Sequence, residues 1–397
     1  MTQDLTFPIL HDDVTMRQKV AHKPEIRFMD QENGTVICSY IVSCDGTFDE
    51  MYSREARGIV FDKTGKVISR PLHKFSNLNQ NPEVQFEKID WSKVTRVMDK
   101  RDGSMIHTVD VKNTDDFWPP RFKFNLKSKK SYTSDVAMQA KAFMVVADVK
   151  NNIRYGDFCN WCLKNEVTAI FEWTSPIARI VVGYQADALT LLHIRHNVSG
   201  EYVLHAVLEE VACSFGIPVV ADLEHLKEMF TSPEGVKRYI EETEGVEGVV
   251  VQFESGEMLK VKTSWYMERH RAMTFLRERD IAEMTLNETL DDLKSILIGE
   301  GCDITEINAI EARVVSELDE IIIEVNAVIS ENTGFDKKSM AMKYGPQTGN
   351  HPYFKLIMNK FDGKEPDYKG FYERNYLRER FGITQLNLLQ TTTETNE

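Results

Sequence analysis

The chain has 397 residues, 42% of them hydrophobic and 28% charged, and a net charge of −14 at pH 7. That composition suits a globular protein and excludes a collagen, a coiled coil or a wholly disordered chain. No apolar run approaches the ~20 residues of a membrane span, six cysteines are too few for a disulfide scaffold, and the acid-bearing start lacks a secretory pattern, so a reduced, cytoplasmic protein is expected.

Short β-type runs, separated by Gly, Asn and Asp, fill the first 265 or so residues. They are Thr35–Ser43, Gly58–Phe61, Lys66–Ile68, Thr95–Met98, Ala169–Thr174, Leu189–Arg195, Gly248–Phe253 and Met258–Thr263. Helical spacing intervenes at about 133–150, 155–165 and 203–215. This order predicts an α+β fold with antiparallel sheets rather than a doubly wound parallel one. Beyond about residue 268 the strands stop. Ile307, Ile310, Val314, Leu318, Ile321 and Val325 recur at helical spacing. A first domain over 1–267, an all-helical domain over 268–389 and a disordered polar tail over 390–397 are expected.

Charge is unevenly spread. Residues 281–331 hold thirteen acids against two bases, whereas 337–380 hold ten bases against five acids. A smaller basic group, Arg121, Lys123, Lys127, Lys129 and Lys130, has no acid among it. The overall acidity argues against non-specific coating of nucleic acid but leaves room for a local basic groove; a solvated surface is the alternative for each patch.

The sharpest local feature is Lys100-Arg101-Asp102-Gly103, a lysine at a strand end followed by a turn signal. Downstream come Phe171-Glu172-Trp173, an acid inside an apolar strand; Glu247-Gly248, an acid opening another strand; and Lys260-Val261-Lys262, two lysines on one strand face. Upstream, Arg57 precedes a buried strand. Taken singly, each of these reads more readily as an ordinary surface or strand-edge residue than as a catalytic one. Cys159 and Cys162 have redox or half-zinc spacing, but no second pair completes a site, and core packing is expected.

The ordered series Lys100-x-Asp-Gly, Phe171-Glu172, Glu247-Gly248 and Lys260-x-Lys262 resembles the covalent nucleotidyltransferases, a superfamily of polynucleotide ligases and RNA capping enzymes. More narrowly it is similar to the RNA ligase 1 family of T-even bacteriophages, through Ala56-Arg57-Gly58-Ile59, Ser69-Arg70-Pro71, Lys74-Phe75, Asn77-Leu78-Asn79, Leu126-Lys127-Ser128-Lys129, Arg179-Ile180-Val181 and Trp265-Tyr266. The resemblance covers residues 35 to 295. It departs at Ser76, where that family carries a second Phe, and at Lys130, where it carries Gly.

The resemblance implies an adenylyltransferase domain of two antiparallel sheets flanking an ATP cleft, followed by an all-helical domain that favours tRNA. Lys100 would attack the α-phosphorus of ATP to form lysine–AMP. AMP would pass to the 5′-phosphate of single-stranded or nicked RNA, and a 3′-hydroxyl would then seal the strand. Lys260 and Lys262 would contact the α-phosphate, their charges helping to disfavour the protonated form of Lys100. Arg57 and Lys74 would take the outer phosphates or the incoming 5′-phosphate. Glu172 and Glu247 would hold magnesium, for which manganese can substitute, and Asp291 and Asp292 a second ion; an Asp pair is also a normal helix start. Asp102 and Gly103 would shape the turn that aims Lys100. Lys127 and Lys129 would meet RNA phosphates, and the Asp99 carbonyl, Leu192 and Val249 would meet adenine. In that family the reaction repairs tRNA cut in the anticodon loop, in the host cytoplasm when phage-encoded, with an end-healing kinase/phosphatase as partner. The alternatives are a capping guanylyltransferase or DNA ligase, which normally append a β-barrel where this chain turns helical, and a silent RNA-end-binding protein, which need not retain the lysine.

Overall fold

The computed structural model describes residues 5–41, 46–150, 153–274, 276–287, 290–299, 302–364 and 366–382. It divides into two compact units, the first ending at Met267 and the second beginning at Glu268. No helix among the described residues is long and apolar enough to cross a membrane.

All the strands among the described residues belong to the first unit. They are β1 (Ile26–Asp30), β2 (Val36–Tyr40), β3 (Arg57–Phe61), β4 (Val67–Ser69), β5 (Val94–Lys100), β6 (Ser104–Val109), β7 (Asn125–Lys127), β8 (Val167–Thr174), β9 (Ala188–His196), β10 (Gly248–Phe253) and β11 (Met258–Lys262). Every strand pairing is antiparallel, as an α+β fold requires. Among the described residues the sheets number three rather than two, in the orders β1-β2-β3-β4, β7-β6-β8-β9 and β11-β10-β5. The first sheet escapes a reading of local pattern because β1, Ile-Arg-Phe-Met-Asp, has no sustained alternation, with one fully buried residue in five.

Two of the sheets define a cleft by the way they bury alternate residues. On β8, Phe171 and Trp173 point into a core closed by the helices Asp135–Lys150, Tyr155–Lys164 and His205–Phe215, through residues such as Met144, Phe158 and Leu208. Cys159 and Cys162 pack in that core, where burial pushes both thiols up. Ile170 and Glu172 therefore face the other way. On β10, Val249 and Val251 join Val97, Val261, Phe230 and Tyr239 in a second core, leaving Val250 on the opposite face. The two inward faces meet through Met98, Ile170, Leu72, Phe75 and Met258, with Met105, Leu192 and Val250 half-buried beside them.

A buried ion cluster ties the first sheet to β9. Glu55 accepts hydrogen bonds from Arg70 at 2.9 and 3.1 Å and from Arg195 at 2.7 and 2.8 Å, with all three side chains essentially inaccessible. The remaining guanidinium hydrogens reach the carbonyls of Pro8, Pro71, Val198 and Gly200. Burying such charges is tolerable only because every donor and acceptor finds a partner.

The second unit carries no strand among its described residues. Its longest helix, Thr305–Glu331, buries Ile307, Ile310, Val314, Ile321 and Val325 along one stripe. Glu317 on that helix accepts from Tyr372 and Arg380, each at 2.5 Å.

Candidate active site

Register places three lysines on one face. Lys100 lies opposite Gly248, which lies opposite Lys262; one step inward, Met98, Val250 and Lys260 form the next row. Gly248 has φ +148°, and a Cβ there would sit 2.1 Å from the Val261 carbonyl oxygen, so only glycine lets these strands close. Glu247, just before it, is buried and bridges the two outer lysines. Its Oε2 lies 2.6 Å from Lys100 Nζ and its Oε1 3.0 Å from Lys262 Nζ.

The turn after Lys100 is clamped. Asp102 is buried; its Oδ2 accepts from the amides of Val181 and Val182 at 2.7 and 2.8 Å, and its Oδ1 accepts from the Tyr266 hydroxyl at 2.8 Å. The Asp102 amide in turn donates to the Tyr184 hydroxyl. A Cβ on Gly103 would lie 2.2 Å from the Trp173 carbonyl oxygen, so this turn also packs directly on β8. Lys100 is thus fixed between two sheets rather than displayed on a mobile loop.

Glu172 faces this row from β8. Burial raises its carboxyl to about 7; the Lys100 charge pulls it down while Glu247 and Asp102 push it up. Lys260 is held well below the ordinary lysine range, by burial first and then by the charges of Arg57, Lys100, Lys74 and Lys262. Its Nζ lies over the Phe75 ring, 4.7 Å from the centroid. The segment bearing Lys74 and Phe75 reaches it because Lys260 N donates to Ser76 O and Leu78 N donates to Lys260 O. Burial also lowers Lys74, with Arg57 and Lys129 adding to the effect. Lys129 sits 3.5 Å from the Tyr40 ring centroid, and its hydrogen bond and charge bring the Tyr40 hydroxyl down although burial pushes it up.

Arg57, Lys74, Lys129 and Lys260 have no carboxylate partner among the described residues. Cations crowded together at partial burial are costly unless an anion joins them. The arrangement is therefore built for a polyanion, with an amine, Lys100, placed where it can react.

A family model described as RNA ligase matches residues 55–266, just over half of the chain and the whole of the constellation above from Arg57 to Tyr266. The chain belongs to the RNA ligase family. It is 30% identical over 273 residues to a Thermovibrio ammonificans protein named "Putative RNA ligase", and 27% identical over 283 residues to RNA ligase 1 of bacteriophage TS2126. The matches span 66% and 64% of those relatives' lengths and 66% and 67% of this chain. Among solved structures, an archaeal ATP-dependent RNA ligase superposes with a TM-score of 0.42 at 11% identity over 79% of each chain, a likeness too low to bear on function.

Within this RNA ligase fold, Lys100, Glu172, Glu247, Lys260, Lys262, Arg57 and Lys74 lie around one cleft, and Lys129 joins them. Other residues expected there lie elsewhere. Lys127 is fully buried, donating to the carbonyls of Gly58 and Lys129 and lying 3.3 Å from His107 Nε2, so it supports the groove from beneath. Val249 faces the opposite core; Val250 takes the cleft position, since neighbours on a strand point to opposite faces. The Asp99 amide donates to Ala221 O, so its peptide groups project from the outer edge of β5 and its side chain lies behind the sheet. Asp291 and Asp292 fall in the helix Leu290–Gly299, but their side chains lie outside the described residues, as does the expected tail at 390–397. Tyr40, Tyr266 and the Glu55–Arg70–Arg195 cluster were not among the expected site residues. The pairing that reveals them joins positions 15 to 164 residues apart, beyond any local signal.

Proposed function

We propose that the chain is an ATP-dependent RNA ligase that joins 5′-phosphate and 3′-hydroxyl ends through lysine–AMP and RNA-adenylate intermediates. The observation that carries this reading is Lys100 Nζ held 2.6 Å from Glu247, beside Arg57, Lys74, Lys129 and Lys260, which have no carboxylate partner among the described residues. In the first step the Lys100 nitrogen forms a bond to the α-phosphorus of ATP, and the bond from that phosphorus to the pyrophosphate oxygen breaks. The amine proton has an acceptor in Glu247 Oε2. Lys260 and Lys262 face the charge that develops on the phosphoryl oxygens, and Arg57 and Lys74 face the outer phosphates. The same cations then serve transfer of AMP to the RNA 5′-phosphate and displacement of AMP by the 3′-hydroxyl oxygen.

The residues fit magnesium. Glu172 is a carboxyl whose burial no ion pair offsets, and with Glu247 it makes a two-oxygen-donor set. No group of three or more potential ligands occurs among the described residues; an ion held by these two carboxylates would keep much of its water shell. When bound, such an ion would screen the phosphoryl oxygens. Manganese fits the same donors.

The reading extends to tRNA cut in the anticodon loop, in the cytoplasm, with a separate kinase/phosphatase restoring ends that are not already 5′-phosphate and 3′-hydroxyl. It is supported by exposed Lys338, Lys355 and Lys364 in the basic stretch of the helical unit. The test is sealing of a tRNA anticodon stem-loop cut once, offered with 5′-phosphate and 3′-hydroxyl ends, against the same fragments lacking the 5′-phosphate. Ligation of the first alone is expected; equal retention of both without sealing favours an RNA-end binder.

A further inference from the structure

Below the lysines, the cleft ends in a polar pair that the chemistry above does not use. Arg96, Met98 and Lys100 share one face of β5. The segment at 221–223 runs along the outer edge of that strand: Met98 pairs with Asp222, Asp99 N donates to Ala221 O, and Leu223 N donates to Val97 O. Residues directly paired across antiparallel strands point to the same face, so Asp222 stands beside Met98 in the floor of the cleft. Arg96 Nε donates to Asp222 Oδ2 at 2.9 Å. The bond leaves Arg96 NH2 and Asp222 Oδ1 buried with no partner in the protein, a donor and an acceptor side by side. His205 Nε2 lies 3.9 Å from the other Asp222 oxygen, and His193, depressed chiefly by burial, also feels the Arg96 charge.

Unsatisfied buried polar atoms are costly, and a matching pair of them at the end of a cleft marks a place where a ligand completes the bonding. The walls above the pair are apolar and half-buried, Met105 and Leu192 from one sheet and Val250 from the other, with Met98 beneath. Those apolar faces suit contact with a flat ring. Along β5, Met98 is about 7 Å and Arg96 about 13 Å from Lys100, a span of the order of a nucleotide attached to that lysine through its phosphate.

We infer that Asp222, oriented by Arg96, reads the amino edge of the adenine of the bound nucleotide, the carboxylate accepting from the exocyclic amine and the guanidinium donating to the adjacent ring nitrogen. This assignment rests on the ligase reading of the site. Adenine presents a donor next to an acceptor on this edge, whereas guanine presents a carbonyl and an N–H in the reverse order. Guanine in the same pose would set its carbonyl against Asp222 and its N–H against Arg96, and a site built around hydrogen bonds rejects such a mismatch strongly.

The test measures covalent labelling of the full chain across concentrations of α-labelled ATP and of α-labelled GTP, in the native protein and in Asp222→Asn. The variant keeps the shape of the side chain and adds a donor where the amine should bind. Half-saturating ATP is expected to rise roughly tenfold or more, and the preference for ATP over GTP to fall by a similar factor. If the pair only fastens the 221–223 segment to β5, labelling with both nucleotides would drop together and the preference would stay, which overturns the assignment. An unchanged ATP dependence overturns it equally. No labelled band in the native protein would remove the ligase reading and this assignment with it, an outcome distinct from a labelled native protein with an unmoved preference.

Discussion

Glu172→Gln separates the cost of a site from its use. The carboxyl is raised from 4.5 to about 7, chiefly by burial. At about 1.4 kcal/mol per pH unit, and discounted for its remaining exposure, ionising it in the folded protein costs about 2–3 kcal/mol. The sign follows from proton binding. Below pH 4.5 the group is neutral whether folded or unfolded, and nothing is lost. Between 4.5 and about 7 the folded state holds the proton more tightly, so stability falls as pH rises; above about 7 the full penalty is present. Gln removes it. Thermal unfolding without divalent metal should therefore show Glu172→Gln more stable than the native protein at pH 8 by about 5–10 °C for the first unit, and equal to it near pH 4.5. Magnesium should stabilise the native protein at pH 8 but not the variant, because the ion binds the ionised carboxylate. Lysine labelling should be lost in the variant throughout. A Glu172→Gln protein that melts below the native one at pH 8 would refute the reasoning, since the carboxylate would then be paired rather than exposed to a burial penalty.

Other substitutions probe the frame and the groove. Glu55→Ala strands Arg70 and Arg195 as unpaired buried charges and should lower stability by about 3–5 kcal/mol in a denaturant titration; a loss below about 1 kcal/mol would mean the cluster relaxes into water. Gly248→Ala forces a Cβ to 2.1 Å from the Val261 carbonyl oxygen, so the variant should lose about 3 kcal/mol or more and all labelling, whereas Gly245→Ala, with nothing within 4 Å of its Cβ but a left-handed φ of +78°, should cost only the backbone strain of about 1–2 kcal/mol. Lys129→Ala should weaken binding of single-stranded RNA and flatten its salt dependence by about one ion, while Lys127→Met should leave the slope unchanged because the buried amine meets no phosphate. A change of slope in Lys127→Met would return that residue to the groove.

What the amino-acid sequence discloses about the fold and the site, and what it withholds, divides by range. Gly248–Phe253 and the helix around 155–164 are strong local patterns, and both elements form where the spacing puts them. Lys100, Glu172, Glu247, Lys260 and Lys262 stood out through their order and their neighbours, but nothing local showed that Glu247 would bridge Lys100 and Lys262. That contact needs β5, β10 and β11 in register. The slip from Val250 to Val249 shows how little separates a cleft residue from a core residue: one position on a strand reverses the face. Lys127 misled for a related reason. A lysine in a basic run reads as solvated, and its burial follows only from the close approach of Gly58, where a Cβ would lie 2.4 Å from the Lys129 carbonyl oxygen. Glu55, Arg70, Arg195 and Asp222 were silent because each gains its meaning from a partner in a distant segment.

The most direct measurement of the central claim is incubation of the full chain with α-labelled ATP and magnesium, denaturing electrophoresis, and the same with Lys100→Ala. The structure predicts a labelled protein band that survives denaturation, is lost on acid treatment as a phosphoramide should be, and is absent from the variant. A band that persists in Lys100→Ala, or the absence of any band from a folded native protein, would contradict the assignment of Lys100 as the nucleophile and with it the ligase chemistry built on that residue.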